Sequence, residues 1–250
     1  MRIAIAGATG TLGKHVARIA QERGHQVVPM SRTAGVDIVT GRGVPEALRG
    51  ADAVIDVASV ASAATDACVA FFRDSSTTLL AAEKAASVPH HVALSIVGID
   101  GISSGYYAGK NAQERVVTTS DAPWTILRAT QFHEFAPQML TQTTFGPVAA
   151  VPVGRLQPVA AAEVASALVE LAEGRPRGRV TDLAGPRQES LVDMARRYLR
   201  ATGRSTPVIP LRMPGQMFRA MRDGSVLPGP GATLGSQTFD EWLKQLPSQG

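Results

Sequence analysis

Short apolar runs alternate with longer stretches of helical period along the first half of this 250-residue chain. Strands are predicted at 2–6, 26–30, 36–40, 53–58, 91–97 and 124–128, where apolar residues run in short blocks bounded by turn formers. Between them, apolar positions recur every three to four residues at 11–23, 44–48, 63–86 and 106–119, the period of helices with one buried face. This alternation predicts an α/β fold, since parallel strands need helical crossovers that cover both faces of the sheet. Beyond Phe135 the regularity weakens. Residues 145–157 are rich in Pro, Gly and Val and read as loops with one strand, and 159–173 form a clear helix with Val164, Leu168 and Leu171 on one face. A strand at 181–184, helices at 191–202 and 238–246, and a Pro/Gly-rich stretch at 207–235 complete the prediction. Residues 1–135 thus form the sheet-bearing core of a single domain, and 136–250 a smaller lobe, some of whose elements pack back on that core across a cleft.

The first strand runs into Ile-Ala-Ile-Ala-Gly-Ala-Thr-Gly-Thr-Leu-Gly at 3–13. Gly7 permits a sharp exit from the strand, Gly10 lets the backbone approach a pyrophosphate, and Gly13 lets the helix pack close to the sheet. Thr9, Gly10, Thr11, Leu12 and Gly13 then place backbone N–H groups at the positive end of a helix, an anion site. Strand, glycine triplet and helix in this order predict a dinucleotide site on a Rossmann-type doubly wound parallel sheet with a small C-terminal substrate lobe. An NAD site usually has an acid at the end of the second strand. Here that strand ends in Ser31-Arg32-Thr33, with no carboxylate to repel a 2′-phosphate and a guanidinium to bind it. NADP(H) is therefore the expected cofactor. The short stretch 32–36 leaves no room for a helix before the next strand, which puts Asp37 and Thr40 near the adenine. Val57, Ala58 and Ser59 line the cofactor nearer its middle and the nicotinamide ribose.

Two of only three tyrosines fall together in Gly105-Tyr106-Tyr107-Ala108-Gly109-Lys110. On a helix, Tyr106 and Lys110 stand one turn apart on one face. A nearby ammonium would lower the phenol pKa from its ordinary value near 10, so that tyrosine could exchange a proton with a substrate oxygen while hydride moves. Lys110 can also hold the nicotinamide ribose. Ser95, at the end of the strand over 91–97, is placed to hydrogen-bond the substrate oxygen. Tyr107 is a second candidate phenol, and Gly109, a poor helix residue, marks a close backbone approach or an irregular helix start.

With these motifs the chain resembles an atypical short-chain dehydrogenase/reductase of the NmrA-like, NAD(P)H-binding branch. The resemblance rests on 7–13, on Ser31-Arg32, on Ala-Leu-Ser-Ile-Val-Gly-Ile-Asp at 93–100, on Tyr-Tyr-Ala-Gly-Lys-Asn-Ala-Gln-Glu at 106–114 and on Trp-Thr-Ile-Leu-Arg-Ala-Thr-Gln-Phe at 124–132. Ala-Gly-Pro at 184–186 and Phe-Asp-Glu-Trp-Leu at 239–243 extend it over most of the chain. It implies fold and cofactor with some specificity and substrate poorly, because the branch holds quinone reductase-like enzymes, reductases of aromatic natural products and catalytically silent redox sensors. Many members keep the lysine but lack the tyrosine, so Tyr106 favours chemistry. The leading expectation is an NADP(H)-dependent oxidoreductase of a small carbonyl, enone or quinone. A redox sensor that acts through a protein partner is the alternative, and a nucleotide-sugar epimerase or dehydratase a third reading.

Composition narrows the remaining classes. The net charge is +4, but arginines such as Arg175, Arg187 and Arg200 are scattered among Pro, Gly and acids, without aromatic interleaving, so a solvated basic face is expected rather than a nucleic-acid surface. No apolar run reaches the roughly 20 residues of a membrane span, and no cleavage pattern follows the apolar start, so a cytoplasmic protein is expected. The single cysteine, Cys68, reads as a buried structural thiol. Five histidines without accompanying cysteines give no metal set. His133 reads as structural with a substrate contact as its alternative, and His90-His91 as a turn with one solvated ring. Leu140, Phe145, Val148, Met213, Met217 and Phe218 give the lobe an apolar character, suited to an apolar or aromatic small molecule; homo-oligomerisation is left open.

Overall fold

The computed structural model describes residues 1–246; the last four positions of the expected lobe lie outside them. In chain order the elements are β1 (Arg2–Ala6), α1 (Thr11–Glu22), β2 (Gln26–Met30), α2 (Val44–Leu48), β3 (Ala53–Asp56), α3 (Thr65–Ala86), β4 (His91–Ile96), α4 (Gly105–Thr118) and β5 (Trp124–Ala129). Then follow α5 (Phe135–Thr143), β6 (Thr144–Phe145), β7 (Val148–Pro152), β8 (Arg155–Leu156), α6 (Ala161–Glu173), β9 (Gly178–Arg179), β10 (Leu183–Ala184) and β11 (Glu189–Ser190). The chain closes with α7 (Leu191–Ala201), β12 (Val208–Leu211), α8 (Gln216–Asp223), β13 (Thr233–Leu234) and α9 (Phe239–Lys244). Two compact units result, one of 1–128 and 161–181, the other of 129–160 and 182 onward.

In the first unit the strands stand in the order β5-β4-β3-β1-β2, with β9 on the far side of β5. The β1–β2, β1–β3, β3–β4 and β5–β9 pairs are parallel. β1 and β3 are central, and all of Ile3, Ala4, Ile5, Ala6 and Ala53–Asp56 are buried. Strands covered on both faces lose the alternation of a half-exposed sheet, which is why they read as continuous apolar runs. The chain order reverses between β1 and β3, so the loops after these two strands open beside each other, the usual ligand-binding position in such sheets. α1 buries Leu12, Val16 and Ala20, and α6 buries Val164, Ala165, Leu168 and Val169; the two helices pack together on one face. α2 and α3 cover the other core, where Met30, Val44, Leu48, Val54 and Leu79 meet, and Val117 of α4 packs with Leu80, Ala93 and Ile126.

Two expectations for this unit are corrected. Residues 36–40 are a turn, not a strand. The Asp37 carboxylate accepts hydrogen bonds from the backbone N–H groups of Val39 and Thr40, at 2.9 and 3.3 Å, which bends the chain back on itself. Val36 is apolar because it packs on the core. Helix α2 follows before β3, so the connection is not the short helix-free link expected. His90 and His91 are both buried rather than part of a solvated turn. His90 Nε2 lies 2.8 Å from Thr125 Oγ1, and His91 Nδ1 lies 2.9 Å from a Glu83 carboxylate oxygen.

The second unit is built from smaller pieces. β6 and β7 form an antiparallel hairpin, and β12 lies parallel to β7. β8 pairs with β11, and β10 pairs with Ala129 and with β13. α9 begins with a capping box, in which Thr238 and Glu241 satisfy each other's backbone N–H groups. Its Phe239 and Trp242 rings stack at 5.4 Å, and Arg197 lies over Phe239 while bound to Glu189 and Asp240.

Candidate active site

The glycine loop is held by contacts that leave no room for side chains. Gly7 has φ of +82°, and a methyl group there would come within 2.8 Å of the Ala58 Cα. A methyl at position 13 would sit 2.0 Å from the Gly7 carbonyl oxygen. Gly10 N–H donates to Gly7 O and Gly10 O accepts from Lys14 N–H, so the loop is closed on itself and α1 starts at once. No side chain caps α1 and its first turn carries no acid. The N–H groups of Thr11, Leu12 and Gly13 therefore have no acceptor within the helix. Exposed glycine backbone, unclaimed N–H donors and the absence of a repelling carboxylate form a donor set that fits a pyrophosphate. Thr9, Gly10 and Thr11 are exposed and Leu12 and Gly13 are buried beneath them.

Beyond β2, Arg32 opens a short 3-10 turn over Arg32–Ala34 and is exposed. Ser31 Oγ accepts from Ala34 N–H and lies 2.9 Å from Thr33 Oγ1, which fixes the backbone that carries the arginine.

The loop after β3 brings the next set to the glycines. Ala58 abuts Gly7, with Val57 half-buried beside it, and Ser59 is exposed. Ser59 Oγ lies 2.9 Å from the Tyr106 phenol oxygen. The Tyr106 ring packs edge-on against Phe72 at 5.2 Å. Burial pushes its phenol above the ordinary value; the Ser59 hydrogen bond opposes this, and the charge of Asp56 adds to it. The expected lowering by Lys110 is thus not found: the lysine is not among the groups that act on the phenol. Lys110 is buried, with Nζ donating to Leu94 O and to Gln113 Oε1, and lies over the Phe72 ring at 4.7 Å. Burial pulls its pKa down to about 8, against the favourable charges of Asp56 and Glu114.

Ser95 is corrected as a substrate contact. It is 2% exposed, its Oγ has no hydrogen-bond partner of ordinary geometry, and its influence falls on the Glu114 carboxyl. The hydroxyl that meets the phenol is Ser59. Tyr107 is buried, and Gly109 does mark a close approach. A methyl there would lie 2.6 Å from Phe72 Cδ2 and 2.9 Å from Cys68 O, so α3 and α4 touch through the Cys68–Phe72 turn. Cys68 itself is buried, with its thiol pushed up by burial.

Sequence reading missed an ionic cluster behind this site. Arg128 on β5 donates to both carboxylate oxygens of Glu114 and both of Asp100, at 2.6–2.8 Å, and Arg179 reaches Glu114 from β9. Glu114 and Asp100 are held below the usual carboxylate range, Glu114 against its own burial and Asp100 chiefly by its hydrogen bond to Arg128. The one available signal was an arginine inside an apolar strand, which requires a partner. Asp100, Glu114 and Arg179 also line a groove of about 650 Å³ along the outer face of α4, with Ile102, Asn111 and Arg115. His133 in the second unit is fully buried among Phe239 and Trp242, with Nε2 3.2 Å from Gln237 O. Among the described residues no cluster could hold a metal ion, and no helix is long and apolar enough to cross a membrane.

Fold and glycine cradle together define a Rossmann-type nucleotide-binding protein. The sequence profile of the NAD(P)H-binding family matches residues 7–174, and the chain belongs to that family. Among solved structures it is similar to a UDP-glucose 4-epimerase from Bifidobacterium longum in complex with NAD+ and UDP, at 14% identity and a TM-score of 0.74, covering 97% of this chain and 96% of that one. It is likewise similar to an NADPH-dependent quinone oxidoreductase from Escherichia coli, at 20% identity and a TM-score of 0.67, covering 97% and 98%. A short-chain dehydrogenase/reductase superfamily protein from Agrobacterium tumefaciens with bound NAD matches at 15% identity and a TM-score of 0.70, covering 98% and 95%. No curated protein sequence matches the chain significantly.

Proposed function

We propose that this protein is an NADP(H)-dependent reductase of a small carbonyl, enone or quinone, with Tyr106 as the proton donor. The observation that carries this reading is the Tyr106–Ser59 hydrogen bond, one residue away from the Ala58 backbone against which Gly7 rests. It puts a phenol beside the glycine cradle. When bound, the nicotinamide would supply the hydride. The chain's own residues do the rest. A phenol whose pKa is raised by burial stays protonated at neutral pH, the state needed to donate to an oxygen that gains electron density during reduction. Ser59 orients it, and Phe72 fixes the ring plane. Thr9–Gly13 receive the pyrophosphate, and Arg32, with no acid beside it, receives a 2′-phosphate. Val57, Ala58 and Ser59 border the ribose and Lys110 donates to it.

The test is NADPH oxidation across quinones, enones and aldehydes, run on wild type and Tyr106→Phe, with NADPH affinity measured by fluorescence. Turnover that collapses in the variant while affinity holds supports the reading. Tight NADPH binding with no turnover on any of these substrates, or equal rates in the two proteins, overturns it.

A further inference from the structure

Asp56 is fully buried at the end of β3, and both its oxygens are used. Oδ1 accepts from Ala58 N–H at 3.0 Å and Oδ2 accepts from Gln113 Nε2 at 2.8 Å. A carboxylate can only accept, so it compels the Gln113 amide to turn its nitrogen towards β3 and its oxygen away. That oxygen meets Lys110 Nζ, which also donates to Leu94 O. An ammonium has three N–H donors, and two are now committed. On these grounds we propose that Asp56 and Gln113 are positioning residues for Lys110: they fix its ammonium on two acceptors and keep the third N–H for the cofactor. The proposal rests on the reading of Lys110 as a cofactor contact.

A single carbonyl would leave a four-carbon side chain free to rotate, whereas two acceptors from different elements define where Nζ stands. The clamp also survives deprotonation, because a neutral amine keeps two N–H groups for the same two acceptors and turns its lone pair outward. The titratable groups that face Lys110 are Asp56 on β3 and Glu114 on α4, and both favour its charge. Asp56→Asn would reverse the clamp. An asparagine whose oxygen serves Ala58 N–H presents its NH₂ to Gln113, which turns the glutamine NH₂ towards the lysine, donor against donor. Gln113→Met removes the acceptor at similar volume.

The experiment is a lysine-selective NMR titration of the cofactor-free protein, practical because the chain has only Lys14, Lys84, Lys110 and Lys244. NADPH affinity and thermal melting are measured alongside. Wild-type Lys110 should titrate near 8, apart from the other three. In Asp56→Asn and in Gln113→Met that titration should fall by about one pH unit, and NADPH should bind about tenfold more weakly. Gln113→Met leaves the Asp56 charge in place and so isolates the clamp, whereas Asp56→Asn also removes a charge that favours the ammonium; the double variant should therefore titrate no higher than Gln113→Met alone. An unchanged Lys110 titration in the variants overturns the proposal; should Asp56→Asn fail to fold, Gln113→Met decides alone. A titration shifted in Gln113→Met with unaltered NADPH affinity upholds the clamp and overturns only the cofactor role of Lys110, and absent turnover with both shifts present counts against the proposed reaction alone.

Discussion

Ser59 Oγ and the Tyr106 phenol oxygen lie 2.9 Å apart, tying the loop after β3 to the first turn of α4. The contact joins the loop beside the glycine cradle to the proposed proton donor. Tyr106→Phe keeps the ring on Phe72 and removes only the hydroxyl. Turnover should fall by about 10²–10⁴-fold, with NADPH affinity unchanged in fluorescence titration. Ser59→Ala removes a hydrogen bond that holds the phenol down, so the high-pH limb of the rate profile should move to higher pH.

Lys110 gives the protein a pH signature of its own. Its pKa is about 8 in the folded chain, against an unfolded value near 10.4. Between these values the unfolded chain binds more protons than the folded one, so stability must rise as pH rises. The gain approaches about 3 kcal/mol by pH 10. Melting temperatures of wild type should therefore climb relative to Lys110→Met between pH 8 and 10, and level off below pH 7.

In the proposed reading, Arg32 selects the nucleotide. Arg32→Ala should weaken NADPH binding by about ten- to a hundredfold and leave NADH binding within about twofold. Equal losses for both nucleotides would show that the arginine does not meet a 2′-phosphate.

Arg128 holds two carboxylates while buried itself. Arg128→Met leaves the buried Glu114 with Arg179 alone, at a cost of about 3–5 kcal/mol near neutral pH. The Glu114 pKa then moves up, so the folded state takes up a proton more readily and the deficit should narrow as pH falls towards 5. Urea unfolding of both proteins at pH 7 and 5 measures this.

Gly13 and Gly109 are both too crowded for a side chain, but for different reasons. Alanine at either should destabilise by about 1–3 kcal/mol. Only Gly13→Ala should also abolish NADPH binding, because its methyl would strike the Gly7 carbonyl, while that of Gly109→Ala would push α4 off Phe72 and Cys68.

What could be read in advance follows from how local each signal is. β1, the glycine triplet and the start of α1 fall within the first thirteen residues, and their spacing carries the geometry. Tyr106 and Lys110 were correctly placed one turn apart on α4, but spacing does not say where a long flexible chain ends. Its acceptors come from Leu94 and Gln113, and the latter is oriented by Asp56, 57 residues away. Ser95 and Ser59 are equally plausible hydroxyls in a linear string, and only packing turns one under α4 and the other to the phenol. Residues 36–40 mislead because Val36 and Ile38 are apolar for burial against the core while Asp37 makes the turn. His90-His91 reads as a turn with one solvated ring, yet both are buried, because their partners, Thr125 and Glu83, lie on other elements.

Helix α6 returns to the first unit after the chain has left it for more than thirty residues. Its buried Val164, Leu168 and Val169 supply the cover over α1. A nascent chain ending near residue 135 therefore carries every strand from β1 to β5, yet on one face only α1 covers β1 and β2, and the part over β3 and β4 that α6 packs on is bare. During synthesis the nucleotide-binding unit waits for about forty more residues before its core can close, a long-range dependence of the kind that slows folding. A fragment cut at the apparent end of the cofactor-binding sequence would be expected to aggregate, and a useful minimal unit must carry residues 161–181 with it.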